Sequence, residues 1–97
     1  MTIEEFITVL RTTKITQCKG AFIRSDGHCC VVGLINITLQ PGLRCLSDRK
    51  STTALQSMIL ESELVLRLNN NLMRLNDEYG WSFERFANEL EAASEPV

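Results

Sequence analysis

Five side chains in the first half of this sequence could bind a metal ion or attack an electrophile: Cys18, His28, Cys29, Cys30 and Cys45. Thiolate and imidazole are the usual ligands of tetrahedral zinc, and four of the five would complete a site. Their spacing argues against one. A zinc knuckle uses a CxxC or CxxH turn to aim two ligands at a single ion, and neither spacing occurs here. Residues adjacent on a strand project to opposite faces, so Cys29 and Cys30 would not share an ion. For the same reason His28 would not serve as base to a neighbouring thiol. The expectation is reduced cysteines acting as small apolar side chains, with no metal and no cofactor.

Nucleophilic and phosphate chemistry find no better support. No Ser-His-Asp set or close carboxylate pair stands out, and the five glycines are scattered rather than gathered into a phosphate-cradling loop. The sequence therefore points away from an enzyme and toward binding. The candidate contact residues are Arg44, Arg49 and Lys50, in a stretch read as a loop after Pro41-Gly42, and Trp81, in a turn before the last helix. Loops are where a small scaffold presents binding groups, and arginine and tryptophan are favoured anchors.

Charge is segregated along the chain. Residues 11–50 carry seven basic side chains against Asp26 and Asp48, a net of +5, whereas residues 82–97 carry four glutamates against Arg85, a net of −3. An anionic partner or complementarity within the molecule explains this equally well.

The elements that must position these residues are read from periodicity and caps. Thr2-Ile3-Glu4-Glu5 forms a capping box, and Ile3, Phe6, Ile7 and Leu10 follow at helical spacing, fading at Thr12-Thr13. Lys19–Arg24 and His28–Val32 flank Ser25-Asp26-Gly27, which predicts a β-hairpin whose second strand ends at Gly33. A short helix is expected to begin near Leu34. Thr53-Ala54-Leu55-Gln56 is a second capping box opening a helical stretch to about Tyr79, with Leu64, Leu68, Leu72 and Leu75 on one face. Asn69-Asn70-Asn71 leaves one long helix or two shorter ones open. Gly80 suits a helix C-cap, and Ser82 caps a last helix with Phe83, Phe86, Ala87 and Leu90 as its buried stripe.

The predicted fold class is α+β: an N-terminal helix, a hairpin with room for a third short strand, and two or three C-terminal helices on one face. A chain of 97 residues makes a single domain over 1–97, with 92–97 expected as a frayed tail. No apolar run approaches the ~20 residues of a membrane span, and acids stand where a secretory signal carries cations, so the cytoplasm is the expected compartment. The Ser82–Leu90 segment also fits the first half of a helix-turn-helix, but the stretch from Glu91 to Val97 is too short and too acidic to enter a DNA groove.

Two blocks of the chain resemble a group of small proteins encoded by bacteriophages, prophages and other mobile elements. Those proteins pair a Cys-Cys-Leu-Gly-Val-Leu block with a distal Leu-Asn-Asp, Gly, Ser-Phe-x-x-Ile-Ala-x-x-Ile-Glu block. Cys30, Gly33 and Leu34-Ile35 match the first, and Leu75-Asn76-Asp77, Gly80, Ser82-Phe83, Ala87 and Leu90-Glu91 match the second. Val31 replaces the second cysteine, and Phe86 an isoleucine. The resemblance implies an origin on a phage or mobile element and carries over no family-wide activity. Together with the small size, the absence of catalytic groups and the charge segregation, it makes the leading expectation an accessory protein that binds and inhibits or redirects a host protein complex, such as an anti-defence protein of the anti-CRISPR kind, working in the host cytoplasm. Two alternatives stand beside it: a nucleic-acid-binding regulator using the basic 11–50 segment, and a small metal-stabilised protein. A homodimer is compatible with each.

Overall fold

A computed structural model of the chain describes residues 1–94. Its elements, in order, are α1 (Ile3–Thr12), α2 (Val31–Leu39), a 3-10 turn (Leu46–Asp48), α3 (Ser51–Leu68), α4 (Leu72–Asp77) and α5 (Phe83–Ser94). There is no sheet among the described residues, so the α+β expectation is corrected to a mostly helical fold. Residues 92–94 belong to α5, and 95–97 lie outside the described residues.

The hairpin fails for a local reason. Its turn does form: Gly27 takes a positive φ of 88° and its N–H donates to the Arg24 carbonyl. Extended pairing is limited to two single bridges, both at Cys29, one parallel to Gln17 and one antiparallel to Ile23. At Cys30 the chain leaves the strand direction. The Cys30 Sγ accepts the Gly33 N–H at 3.4 Å and caps α2, which starts at Val31, where the second strand was expected to continue. Val31, Val32, Leu34 and Ile35 are buried on all sides, and such a run fits a buried helix as well as a buried strand. Burial outweighs the weak β-preference of the two valines.

Gly33 does not end a strand. It lies in the first turn of α2, where a Cβ would stand 1.8 Å from the Phe22 carbonyl oxygen. That carbonyl also accepts the Cys30 N–H at 3.1 Å, so glycine is what allows the loop to lie against the helix.

α1 begins as expected, with the Thr2 hydroxyl accepting the Glu5 N–H. α3 does not use its predicted capping box. It starts earlier, at Ser51, and Thr53 is buried within its first turn. Asn69, in the left-handed conformation at φ 53°, ends α3, and Asn71 caps α4 by accepting the Arg74 N–H at 3.1 Å. The asparagine run therefore separates two helices. Gly80, at φ 66°, closes the turn after α4, and the Ser82 hydroxyl caps α5 through the Arg85 N–H.

α1 lies along α5, while α3 packs against both α2 and α5. Phe6, Leu34, Ile35, Leu64, Phe86 and Leu90 fill the single core. Asn76, wholly buried, ties its polar seam: its Oδ1 accepts from the Val31 N–H at 3.2 Å and from the Gln17 amide at 2.7 Å, and its Nδ2 donates to the Cys18 carbonyl at 3.0 Å. Gln17 also donates to the Trp81 carbonyl and accepts the Phe83 N–H, which fixes the approach to α5.

Candidate interaction surface

α3 carries two apolar stripes. Thr53, Ser57, Leu60 and Leu64 recur at helical spacing and face the core. Leu55, Met58, Ile59, Val65 and Leu66 lie on the opposite side and face outward, with Ser62 between them. At 100° per residue the centres of the two stripes are about half a turn apart. Leu66 is 80% exposed, and Leu55, Met58 and Ile59 are each more than half exposed. Eight large hydrophobic side chains are exposed among the described residues, and five of them are on this one helix face. Single exposed leucines need no explanation, but a contiguous apolar strip is a candidate interaction surface.

The strip runs into a groove. A shallow cleft of about 530 Å³ lies between Met58, Glu61, Ser62, Val65 and Leu66. Glu61 and Val65 are shared with a second cleft of about 260 Å³, walled by Phe22, Leu46, Leu72 and Met73. The smaller volume lies below the usual range for small-molecule sites and would take one or two inserted side chains, whereas the larger lies within that range. Burial raises the Glu61 carboxyl above its ordinary value, and the Arg49 guanidinium opposes the rise.

Arg49 is itself held inward. Its Nη1 donates to the Asn36 Oδ1 at 2.9 Å and to the Ser57 Oγ at 3.0 Å, both on wholly buried residues. It bolts the 43–50 segment to α2 and α3, helped by Gln40, which donates to the Asp48 carbonyl and accepts the Lys50 N–H. Arg44 and Lys50 are exposed on the same segment. Trp81 is half-buried, edge-on to Phe86 at 5.3 Å, with the Arg85 guanidinium 4.6 Å from its ring centroid. The four predicted contact residues thus divide into two that face solvent and two that serve packing.

Three of the four thiols are disposed for packing. Cys18, Cys29 and Cys30 are buried and Cys45 is exposed, all as free cysteines. Burial first, and then the neighbouring Cys30 and Cys18, pushes the Cys29 thiol up to about 12. Burial raises Cys18 and Cys30 as well. His28 is half-buried beside Asp26, which also pairs with Arg24. Among the described residues no three His, Cys, Asp or Glu side chains converge to hold a metal ion. No helix there is long and apolar enough to cross a membrane.

No protein-family model, curated protein or solved structure matches this chain. The resemblance to mobile-element proteins therefore stands on its two sequence blocks. Both blocks have a structural role here: Cys30 and Gly33 shape the start of α2, and Asn76, Gly80, Ser82 and Phe83 build the α4–α5 corner.

The outward face of α3 was legible as Leu55, Met58, Ile59, Val65 and Leu66, which recur at helical offsets. A helix is usually assigned one apolar face, and the leucine stripe had already supplied it.

Proposed function

We propose that this chain is a non-catalytic protein-binding module whose polypeptide-binding surface is the outward face of α3. One observation carries this: five exposed apolar side chains on a single helix face, bordering a groove sized for inserted side chains. An accessory protein that blocks or redirects a host complex works through contact surfaces and needs no reacting groups, so the resemblance to mobile-element proteins is compatible with this reading. Arg44 and Lys50, exposed on the anchored 43–50 segment, are the cations available to a host target. The nucleic-acid alternative is weaker, because Arg11, Arg24 and Arg49 are already engaged within the molecule.

Site-specific photo-crosslinking tests the proposal. A photoreactive side chain at position 66 of the full chain, expressed in the host, is expected to give discrete polypeptide adducts. The same group at Glu89, exposed on α5, is the control. Equal and diffuse labelling from both positions would overturn the assignment of this face.

A further inference from the structure

We infer that the polypeptide held by the α3 face is a second copy of this chain, packed antiparallel about a two-fold axis that passes over Ser62. This rests on the protein-binding reading above and names its partner.

The first ground is the symmetry of the stripe. Three positions to either side of Ser62 stand Ile59 and Val65; four positions to either side stand Met58 and Leu66. The four apolar positions nearest Ser62 are thus the same read in either direction; Leu55, seven positions before it, is mirrored by Asn69 and lies outside the symmetric set. A two-fold interface is isologous, with one surface patch complementary to itself. With the axis over Ser62, Met58 of one copy faces Leu66 of the other, and Ile59 faces Val65, in both halves of the interface. Ser62 is small, and its hydroxyl is turned back onto the Met58 carbonyl at 2.8 Å, so neither bulk nor an unmet donor stands at the crossing point. Two helices can then approach to the ordinary packing distance of ~8–10 Å.

The second ground is area. Five side chains, each at least a third exposed, offer on the order of 500 Å² per copy, so two copies bury about 1,000 Å² between them, the lower bound for a stable interface. α3 spans 18 residues, or roughly 27 Å at 1.5 Å per residue, long enough to seat the whole stripe.

Sedimentation equilibrium of the full chain between roughly 1 and 200 µM, a range that covers micromolar dissociation constants, tests the inference. The mass is expected to rise toward twice 11.0 kDa. Met58→Glu and Leu66→Lys are each expected to be monomeric at concentrations where the parent is dimeric. Both positions are more than half exposed, so the fold tolerates the change, and circular dichroism checks it. Mixing the two variants is expected to restore a dimer, because one half of the interface then holds a Glu–Lys contact and the other keeps Met58 against Leu66. A parent that stays monomeric throughout overturns the inference. So does a dimer that neither variant disturbs, and failure of the mixture to associate overturns the antiparallel register. Should the parent be monomeric while position 66 still crosslinks to a different polypeptide, the protein-binding reading stands and the second copy is wrong. No adduct of any kind removes both.

Discussion

Asn76 shows how much one side chain can organise when it is buried and fully bonded. Val31 N–H, the Gln17 amide and the Cys18 carbonyl all end on it, from two other stretches of chain. Replacing it would leave buried donors and acceptors without partners, each at a cost of about 1–3 kcal/mol. Its role was not legible from the residue type, since an asparagine in a helical run reads as a weak helix former or a turn. Three of the four cysteines were more legible, because their small apolar size pointed to packing. They also carry a prediction. With a Cys29 value near 12 and Cys18 and Cys30 raised, these thiols stay protonated at pH 8 and are out of solvent. A disulfide reagent should therefore titrate Cys45 alone in the native protein, and four thiols in denaturant. Above the ordinary value of 9.0 the unfolded chain releases protons that the folded state keeps, so unfolding is favoured as pH rises. Stability should fall progressively between pH 9.0 and about 12. Rapid native labelling of all four thiols, or stability flat across that window, would contradict the packing role.

At the scale of elements, helix ends were far better signalled than the strand. Thr2, Asn71 and Ser82 each accept a backbone N–H two or three residues into a helix, as short polar side chains at helix starts do. The hairpin expectation fails because its turn chemistry is right while its second arm is not a strand. Only tertiary burial distinguishes Val31-Val32 in a strand from the same pair in a wholly buried helix, and burial is not local information. Gly33 is the residue that decides this geometry. Alanine there would drive a Cβ into the Phe22 carbonyl, a backbone atom that cannot swing aside. Gly33→Ala is expected to lower unfolding free energy by about 2–3 kcal/mol in urea denaturation, as overpacking of a tight core does. Helix propensity alone would favour alanine by about 1 kcal/mol, so the two effects have opposite signs. A variant more stable than the parent would mean that the 22–23 loop does not press on α2.

Across the whole molecule the charge asymmetry is met in part by internal pairing. Arg11, on α1, donates to Asn88 at 3.1 Å and pairs with Glu91, both on α5, so part of the basic half is spent on the acidic end of the chain. Arg24 pairs with Asp26 at 2.8 Å, and Arg49 is bonded to Asn36 and Ser57. Of the seven basic side chains between residues 11 and 50, this leaves Lys14, Lys19, Arg44 and Lys50. The Arg11–Glu91 pair is exposed on both sides and adds little stability, but it lowers the local positive potential that phosphates would meet. Affinity for a polyanion scales with the number of phosphates neutralised, and each neutralised phosphate steepens the loss of binding with salt. A labelled DNA duplex titrated by fluorescence anisotropy at about 150 mM salt should bind no more tightly than ~10⁻⁴ M, the weak end of non-specific association. The salt dependence should be shallow, reflecting few contacts. Micromolar or tighter binding that collapses steeply as salt is raised would instead show that the internal pairs open to engage phosphate, and would restore the nucleic-acid reading ahead of the protein-binding one.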